Sequence, residues 1–386
     1  MLTSEIKTTL STHFDSLDRK VFIQLQEGTH TKQEELRELL YGVAKLSSLI
    51  EFSVGDFGYH SPLTFSISTD TQSNRLLFSG IPGGHEFNTF ILSIIRTSTN
   101  KYSLDEDTLN MVRKVNKPLS FKTFVSLSCH NCPEVIQTLN EMAAANPNIR
   151  SEMIDGGLFP ELIDQYQIQG VPTVLCNDEP FMTGKVSVSE IIEKIQTIAP
   201  MAIGEGAHYL PTQDVTVVGG GPAGVAAAIY CARKGLSTTI LADRIGGQVY
   251  DTVGIENFIG TKYTTGSELS RNLLEHLSAY DITIKENVKI KSLSNGKLKK
   301  LHLSNGHEFD SRAVVVATGA KWRELNIPGE RENVGKGVAY CPHCDAPFFK
   351  GKKVAVVGGG NSGVEAALDL ANIVEQMSDA FYYSIL

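Results

Sequence analysis

The sequence predicts an α/β protein of several domains, and three observations support this. The chain has 386 residues, which is long for one hydrophobic core, so roughly two to four domains are expected. From residue 212 onward, an apolar strand, a glycine turn and a small-residue helix occur in sequence twice, as in parallel βαβ units. Residues 1–198 alternate strand and helix signals without such a turn.

Composition excludes some kinds of partner. With 41% apolar residues, 20% charged residues and a net charge of −8, the chain resembles ordinary globular proteins. It has no Lys/Arg block, so we expect neither nucleic acid nor a membrane surface as a partner. The N-terminus predicts a helix behind a Thr3/Ser4 cap and has no export signal, and no apolar stretch is long enough to cross a bilayer. We therefore expect a cytoplasmic protein.

The N-terminal region contains a weak internal repeat. Pro62 and Gly80 recur as Pro172 and Gly184 after about a hundred residues. We therefore predict one unit over residues 1–100 and a second over 101–198; chance resemblance of two αβ segments is the alternative. Residues 199–211 are rich in small residues, Gly and Pro, which predicts a linker.

Four of the six cysteines form two C-x-x-C pairs, Cys129/Cys132 and Cys341/Cys344. Six cysteines are too few for a secreted disulfide scaffold, so this spacing indicates metal or redox chemistry. Zinc requires four ligands, and the two pairs are far apart in the sequence. We predict redox pairs and no metal; half a zinc site or two core thiols are the alternatives.

The first pair is predicted to open a helix. A strand-like run, "FKTFVSLS", precedes Cys129, and Pro133 and a helical pattern follow Cys132. The positive end of a helix dipole lowers the pKa of a thiol, here that of the leading, more exposed Cys129. Val171-Pro172 precedes a later strand, and a cis proline there would place a backbone group beside the disulfide. This combination resembles the thioredoxin and glutaredoxin fold over residues 101–198.

His85 and Glu86 stand in "GGHEF" of the first unit. We hypothesise that they form a remote proton source for the first cysteine pair. A solvated charged pair at the start of a helix is the alternative.

The first glycine turn satisfies the G-x-G-x-x-G pattern directly after a strand. Such a turn lets backbone approach a pyrophosphate at the start of a helix. Asp243 stands where the acid that binds a ribose is expected; a purely structural turn is the alternative. The predicted cradle comprises Gly219, Gly220, Gly221, Pro222, Ala223 and Gly224.

The second glycine turn has the same context upstream and predicts a nicotinamide site. After its helix comes "QMSDAFYYSIL", where no acid or arginine that selects NADH or NADPH can be assigned. The residues after Gln376 read like an out-of-frame or replacement tail. The predicted site comprises Gly358, Gly359, Gly360, Asn361, Ser362 and Gly363.

Cys341 and Cys344 lie just ahead of the second glycine turn. A disulfide beside nicotinamide and flavin sites would serve as an electron acceptor. Asp345 would be the acid/base for its thiols; a turn or helix-capping aspartate is the alternative.

Five motifs together resemble the low-molecular-weight thioredoxin reductase family. They are "GGGPAG", "GGQVYDTVGIENFIG", "ATGAKWRELNIPGE", "YCPHCD" and "GGGNSGVEAALDLA". With the duplicated region in front, the chain up to Glu375 resembles the flavoprotein subunits of bacterial alkyl hydroperoxide reductases. The resemblance implies a tandem thioredoxin-like region, then a Rossmann-like FAD domain (212–327) and an incomplete Rossmann-like nicotinamide domain (328–386).

The resemblance also implies an electron path and a partner. NADH would be the donor, with NADPH not excluded, and FAD the relay. Cys341/Cys344 would follow, then Cys129/Cys132, and finally the disulfide of a peroxiredoxin; a homodimer is implied as well. FAD would have among its neighbours Gly247, Gln248, Asn257, Thr318 and Gly319.

Two departures from the family matter. Ala346 stands where the family usually has Gly, and a position that needs positive φ would be strained by alanine. The family completes its FAD domain with a later segment, so we expect both nucleotide domains to be incomplete here. The alternative function is a dithiol-disulfide carrier that works through residues 1–198 without NADH.

Overall fold

The computed structural model describes residues 3–70, 72–129, 131–184, 186–199, 211–252, 254–304, 307–320, 323–325, 327–330, 333, 337–340 and 349–380. The chain separates into two compact units. The first contains residues 1–215, 241–243 and 284–314, and the second contains 216–240, 244–283 and 315–386.

Helices and strands are interspersed along the described chain, which confirms the predicted α/β class. The helices are α1 (Ser4–Phe14), α2 (Gln33–Ala44), α3 (Glu86–Thr99), α4 (Glu106–Arg113), α5 (Cys132–Ala145), α6 (Pro160–Gln165), α7 (Val188–Ile198), α8 (Pro222–Arg233), α9 (Gly266–Ser278) and α10 (Asn361–Leu370). The strands are β1 (Val21–Gln26), β2 (Ile50–Gly55), β3 (Thr64–Thr69), β4 (Gln72–Ser79), β5 (Leu119–Val125), β6 (Ile149–Asp155), β7 (Thr173–Cys176), β8 (Glu179–Thr183), β9 (Gln213–Val218), β10 (Thr238–Leu241), β11 (Ile282–Lys285), β12 (Ile290–Ser294), β13 (Lys299–Leu303), β14 (Glu308–Val316), β15 (Lys353–Val357) and β16 (Gln376–Ala380).

The N-terminal region forms one eight-stranded sheet in the order β2-β1-β3-β4-β6-β5-β7-β8. The order β2-β1-β3-β4 in the first repeat matches β6-β5-β7-β8 in the second, which agrees with the predicted duplication. The repeats join where β4 pairs in parallel with β6, from Leu76↔Ser151 to Ser79↔Ile154. The predicted domain boundaries stay predictions.

Apolar packing and helix capping explain the elements of this region. Phe65, Phe78 and Phe90 are fully buried, with ring centroids 5.3 to 6.0 Å apart, so they fix α3 on β3 and β4. At the start of α7, Ser187 and Glu190 form a capping box, which pairs N–H groups that have no partner inside the helix.

Glu141 of α5 ties the segment between the repeats to the core. Its carboxylate is buried and accepts hydrogen bonds from the backbone N–H groups of Ser103 and Leu104 at 2.8 and 2.9 Å. Arg96 of α3 lies 2.7 Å from the same carboxylate. A buried carboxylate with this many donors is compensated for its lost hydration.

A second sheet has the order β11-β10-β9-β14-β13-β12, and β15 pairs in parallel with β16. Gln376–Ala380 forms a strand that pairs with the whole of β15. The replacement tail predicted after Gln376 stays a prediction. In the part of the chain that the structure describes, no helix is long and apolar enough to cross a membrane.

Candidate redox and dinucleotide sites

The first cysteine pair lies at the start of α5, as predicted. Cys129 and Cys132 form a disulfide, with their Cα atoms 5.6 Å apart. Cys132 is the first residue of α5 and fully buried, whereas Cys129 precedes the helix and is partly exposed. Pro133 follows at the helix start, where its missing N–H leaves no donor unpaired. An incoming disulfide therefore reaches Cys129 first.

The predicted cis proline is confirmed beside this pair. The Val171-Pro172 peptide bond is cis, and the Val171 carbonyl oxygen lies 3.9 Å from Cys129 Sγ. The Gly184 N–H donates to the Pro172 carbonyl at 2.7 Å, and the Thr173 hydroxyl donates to the Gly170 carbonyl at 2.7 Å. These bonds hold the backbone next to the sulfur of Cys129.

The first repeat contacts the cysteine loop through the start of α3. β4 and β5 both run parallel to β6, so the helices that follow them begin at one edge of the sheet. Gly84 has φ +53°, and a Cβ there would collide with the Leu127 carbonyl oxygen. The His85 N–H donates to that oxygen at 3.2 Å. Leu127 stands two residues before Cys129, so the loop that leads into α3 contacts the loop that carries Cys129.

Glu86 is fully buried at the start of α3. Burial raises its pKa to about 7, because a carboxylate without water is costly. Neither carboxylate oxygen accepts a hydrogen bond of normal geometry from the described residues, and the Thr89 hydroxyl lowers the pKa less than burial raises it. The alternative of a solvated pair is therefore wrong for Glu86.

The first glycine turn forms a close-packed loop between β9 and α8. Gly219 has φ +116°, and a Cβ there would collide with the Ala317 carbonyl oxygen. A Cβ on Gly224 would collide with the Gly219 carbonyl oxygen. Gly221 caps α8, and a Cβ on it would meet no heavy atom within 4 Å. The loop thus leaves open space where the helix N-terminus attracts an anion, which fits a pyrophosphate.

Several predicted flavin neighbours lie around this loop. The Gly246 N–H donates to the Gly220 carbonyl at 2.8 Å, and a Cβ on Gly247 would lie 3.1 Å from Gly221 Cα. Gln248 follows in the 3₁₀ turn Gly247–Asp251. On the other side, the Ala317 N–H donates to the Val218 carbonyl at 2.7 Å, and Thr318 and Gly319 come next in the chain.

Two other residues predicted to bind FAD, Asp243 and Asn257, have different surroundings. Asp243 follows the end of β10, and its Oδ1 accepts a hydrogen bond from the Ser189 hydroxyl at 2.6 Å. Asn257 is exposed in a loop closed by backbone hydrogen bonds of 2.8 and 3.0 Å between Ile255 and Thr264. Their predicted contact with FAD stays a prediction.

The second glycine turn repeats the backbone geometry of the first. Gly358 has φ +134°, Gly360 caps α10, and a Cβ on Gly363 would collide with the Gly358 carbonyl oxygen. As at Gly221, a Cβ on Gly360 would meet no heavy atom within 4 Å. Gly359 lies inside the turn, and Asn361 and Ser362 begin the helix. The backbone therefore fits a second dinucleotide.

The second cysteine pair lies outside the described residues. This applies to Cys341, Cys344, the acid Asp345 and the departure at Ala346. Their roles stay predictions.

The two glycine turns and the dithiol define a class of oxidoreductase. Residues 213–378 match the family model of pyridine nucleotide-disulphide oxidoreductases, and residues 119–197 match that of the thioredoxin domain. The chain is therefore a flavoprotein disulfide oxidoreductase with a thioredoxin-like domain, which confirms the predicted fold and enzyme class.

Curated relatives identify the family. The chain is 43% identical to the alkyl hydroperoxide reductase F subunit of Pseudomonas putida and 42% identical to that of Staphylococcus aureus, strain NCTC 8325 / PS 47. It is 41% identical to a protein named NADH dehydrogenase of Bacillus subtilis, strain 168. Each comparison covers 98% of this chain and 73% of the relative. The chain belongs to the family of alkyl hydroperoxide reductase F subunits.

Proposed function

We propose that this chain transfers two electrons from NADH, through FAD and Cys341/Cys344, to Cys129/Cys132, and from there to the disulfide of a peroxiredoxin. The arrangement of the first cysteine pair carries this proposal, because only Cys129 is accessible and Cys132 is buried behind it at a helix start. Relatives named as the F subunits of alkyl hydroperoxide reductases support the partner. A relative named NADH dehydrogenase supports the donor.

The two glycine turns would bind the two dinucleotides. The open space at Gly221 would receive the FAD pyrophosphate, and the one at Gly360 would receive that of NADH. When bound, FAD supplies the chemistry that converts a hydride into two electrons for a disulfide. Cys341 and Cys344 would accept them, with Asp345 as acid/base; this rests on the order of the motifs.

The last transfer is a thiol-disulfide exchange with two bond changes. The Cys129 thiolate attacks one sulfur of the partner's disulfide, which breaks that bond and releases a partner thiolate. The Cys132 thiol then loses its proton and attacks Cys129. The mixed disulfide breaks, the second partner thiolate leaves, and Cys129–Cys132 is oxidised as the partner gains two electrons.

Glu86 would accept the proton of Cys132 in the second step. Its pKa of about 7 lies near neutral pH, where a general acid/base works best. The contact of the preceding residues Gly84 and His85 with Leu127, two residues before Cys129, supports this role. His85 is adjacent in the chain, and we assign it no proton.

A visible absorbance spectrum of the purified chain tests the electron path. We expect a flavin band that bleaches when NADH is added without oxygen and recovers when an oxidised peroxiredoxin follows. Substituting NADPH measures the preference between donors. A colourless chain that still exchanges disulfides when given dithiothreitol would overturn the NADH path and leave the dithiol carrier.

We also propose a homodimer in the cytoplasm, with the domain boundaries predicted above. Family resemblance supports these points. Sedimentation equilibrium of the purified chain tests the dimer: a monomer at micromolar concentration would overturn it.

A further inference from the structure

The start of α4 contacts the end of β11 and the segment after it. Asp107 pairs with Lys285, the last residue of β11. Asp105, the N-cap of α4, accepts a hydrogen bond at Oδ2 from Asn287 Nδ2 at 2.9 Å. Two acidic side chains of the second repeat thus meet an ammonium and an amide that stand 178 and 182 residues later in the sequence.

The start of α7 contacts the same segment. Glu190 Oε1 lies 3.1 Å from Lys289 Nζ, and the Ser189 hydroxyl donates to Asp243 Oδ1 at 2.6 Å. The Asn287 N–H donates to the Asp243 carbonyl oxygen at 3.0 Å, so Asp243 lies on the same side of the contact as Lys289. All of these residues belong to the first compact unit. We call them the docking contact; it comprises Asp105, Asp107, Ser189 and Glu190 of the second repeat with Asp243, Lys285, Asn287 and Lys289.

Each side of the docking contact is held in shape by its own hydrogen bonds. On the repeat, Asp105 caps α4, and Glu190 takes part in the capping box of α7. On the other side, the Ala242 N–H donates to the Lys285 carbonyl at 2.9 Å, and the Val288 N–H donates to the Ala242 carbonyl at 3.2 Å. Because these bonds lie within one side each, the two sides can separate without unfolding.

The docking contact is polar and reached by solvent. Among the described residues, the apolar core of the N-terminal region includes none from the segment 285–289. In the pair of Lys289 and Glu190, 38% and 42% of the side-chain surface is exposed, and in that of Lys285 and Asp107, 27% and 15%. Water and salt weaken such pairs. A polar contact between parts of one chain is typical of one that opens.

We propose that the docking contact is reversible: the acidic helix starts of the second repeat bind the segment 285–289, and the contact opens as one unit when salt or a reversed charge weakens it. The predicted linker over residues 199–211 would keep the opened sides at a high effective concentration, so that the contact re-forms. Opening would let the repeat that carries Cys129 and Cys132 change its position while it stays folded.

Acetylation of lysine amines tests whether the pairs open together. The full-length chain is treated with an acetyl ester of N-hydroxysuccinimide, and mass spectrometry gives the rates at Lys285 and Lys289 relative to that at the exposed Lys7. In Lys285→Asp, which faces Asp107 with a like charge, the rate at Lys289 should rise about three- to tenfold, because its pair with Glu190 separates as well. Raising NaCl from about 0.1 to about 1 M should raise both rates in the wild type.

Exchanging the two charges should restore the docking contact. In the double variant Asp107→Lys/Lys285→Asp, the rate at Lys289 should return to within about twofold of the wild type. Glu51→Lys is the matched control, because it places a like charge beside Lys20 in an exposed pair elsewhere. It should leave the rate at Lys289 unchanged.

Glu190→Gln makes the same test from the other helix. It weakens the pair with Lys289 directly and should raise the rate at Lys285, because the contact opens as one unit. This variant keeps the test available if Lys285→Asp folds poorly. Far-UV circular dichroism of each variant should match the wild type, because opening leaves both sides folded.

Two results would overturn this inference. A wild-type rate at Lys289 in a folded Lys285→Asp variant, or at Lys285 in Glu190→Gln, would show that the pairs break independently. A faster rate with a loss of helical circular dichroism would show unfolding in place of opening. The measurement uses no NADH and no peroxiredoxin, so failure of the proposed electron path would leave its result unaffected.

Discussion

The two N-terminal repeats share one strand order but differ at the place where a redox pair belongs. In the second repeat, the loop after β5 carries Cys129 beside the Val171 carbonyl. In the first repeat, the loop after β1 carries Gly28, and a Cβ there would collide with the ring of Pro62. At this place the first repeat packs Gly28 against Pro62, whereas the second repeat carries a disulfide.

This difference indicates that the two repeats contribute different groups to the redox site. The first repeat contributes no cysteine, but its helix α3 pairs with α5 through Thr89 and Arg96. The loop of the first repeat that precedes the buried Glu86 contacts Leu127 in the cysteine loop of the second, so the geometry of the redox pair depends on how the repeats pack.

The largest effect is expected from the second repeat's cysteines. Cys129→Ser removes the nucleophile that attacks the partner, so NADH-dependent reduction of a peroxiredoxin should fall by about a thousandfold. Bleaching of the flavin by NADH should persist. Cys231→Ser is the matched control, because Cys231 is a free cysteine outside both pairs. Equal rates in the two variants would show that electrons bypass the thioredoxin-like domain.

The junction between the repeats should be the next most sensitive place. Glu141→Ala leaves Arg96 and the N–H groups of Ser103 and Leu104 without their buried acceptor. The free energy of unfolding should fall by about 3–5 kcal/mol, measured by urea denaturation with circular dichroism. Glu51→Ala removes an exposed partner of Lys20 and should change nothing measurable. Matching denaturation curves would mean that Glu141 does not hold the repeats together.

Local patterns explain what the sequence could predict. The strand, C-x-x-C-P and helix around Cys129 are contiguous, as are the strand, glycines and helix around Gly221, so chain order alone locates both sites. Gly84, two residues before the buried Glu86, packs against Leu127 of the other repeat. That contact leaves no periodic signal, and neither does the hydrogen bond from Gln137 to Thr89.

The strand at Gln376–Ala380 shows another limit of sequence patterns. Its residues, QMSDA, lack the β-branched and aromatic side chains typical of strands. They still pair with all five residues of β15, because the parallel partner and the preceding α10 determine where this segment lies. Propensity was overridden by the βαβ context.

The two kinds of glycine in one turn should respond differently to alanine. Gly219→Ala would drive a Cβ into the Ala317 carbonyl at a positive φ and should destabilise its domain by about 3 kcal/mol or more. Gly221→Ala meets no protein atom within 4 Å, so the fold should survive. It would still obstruct a pyrophosphate and weaken FAD binding by at least about tenfold. Thermal unfolding measures the loss of stability in Gly219→Ala, and flavin fluorescence titration measures the FAD affinity of Gly221→Ala. Normal FAD affinity in Gly221→Ala would contradict the assigned site.

The smallest effect concerns the stability of the first repeat as pH changes. The folded pKa of Glu86, about 7, is above its ordinary value of 4.5, so the folded state holds that proton more tightly. Wild-type stability should therefore fall as pH rises from 4.5 to 7. Gln cannot ionise, so Glu86→Gln should match the wild type near pH 4 and exceed it by up to about 3 kcal/mol at pH 8.

Urea denaturation at both pH values measures this difference. Glu134→Gln, in the first turn of α5 but exposed, is the matched control for replacing a carboxyl by an amide. If Glu86→Gln and the wild type keep a constant difference from pH 4 to pH 8, the Glu86 carboxyl does not titrate in its buried site. In that case the first repeat contributes packing to the redox centre but no proton.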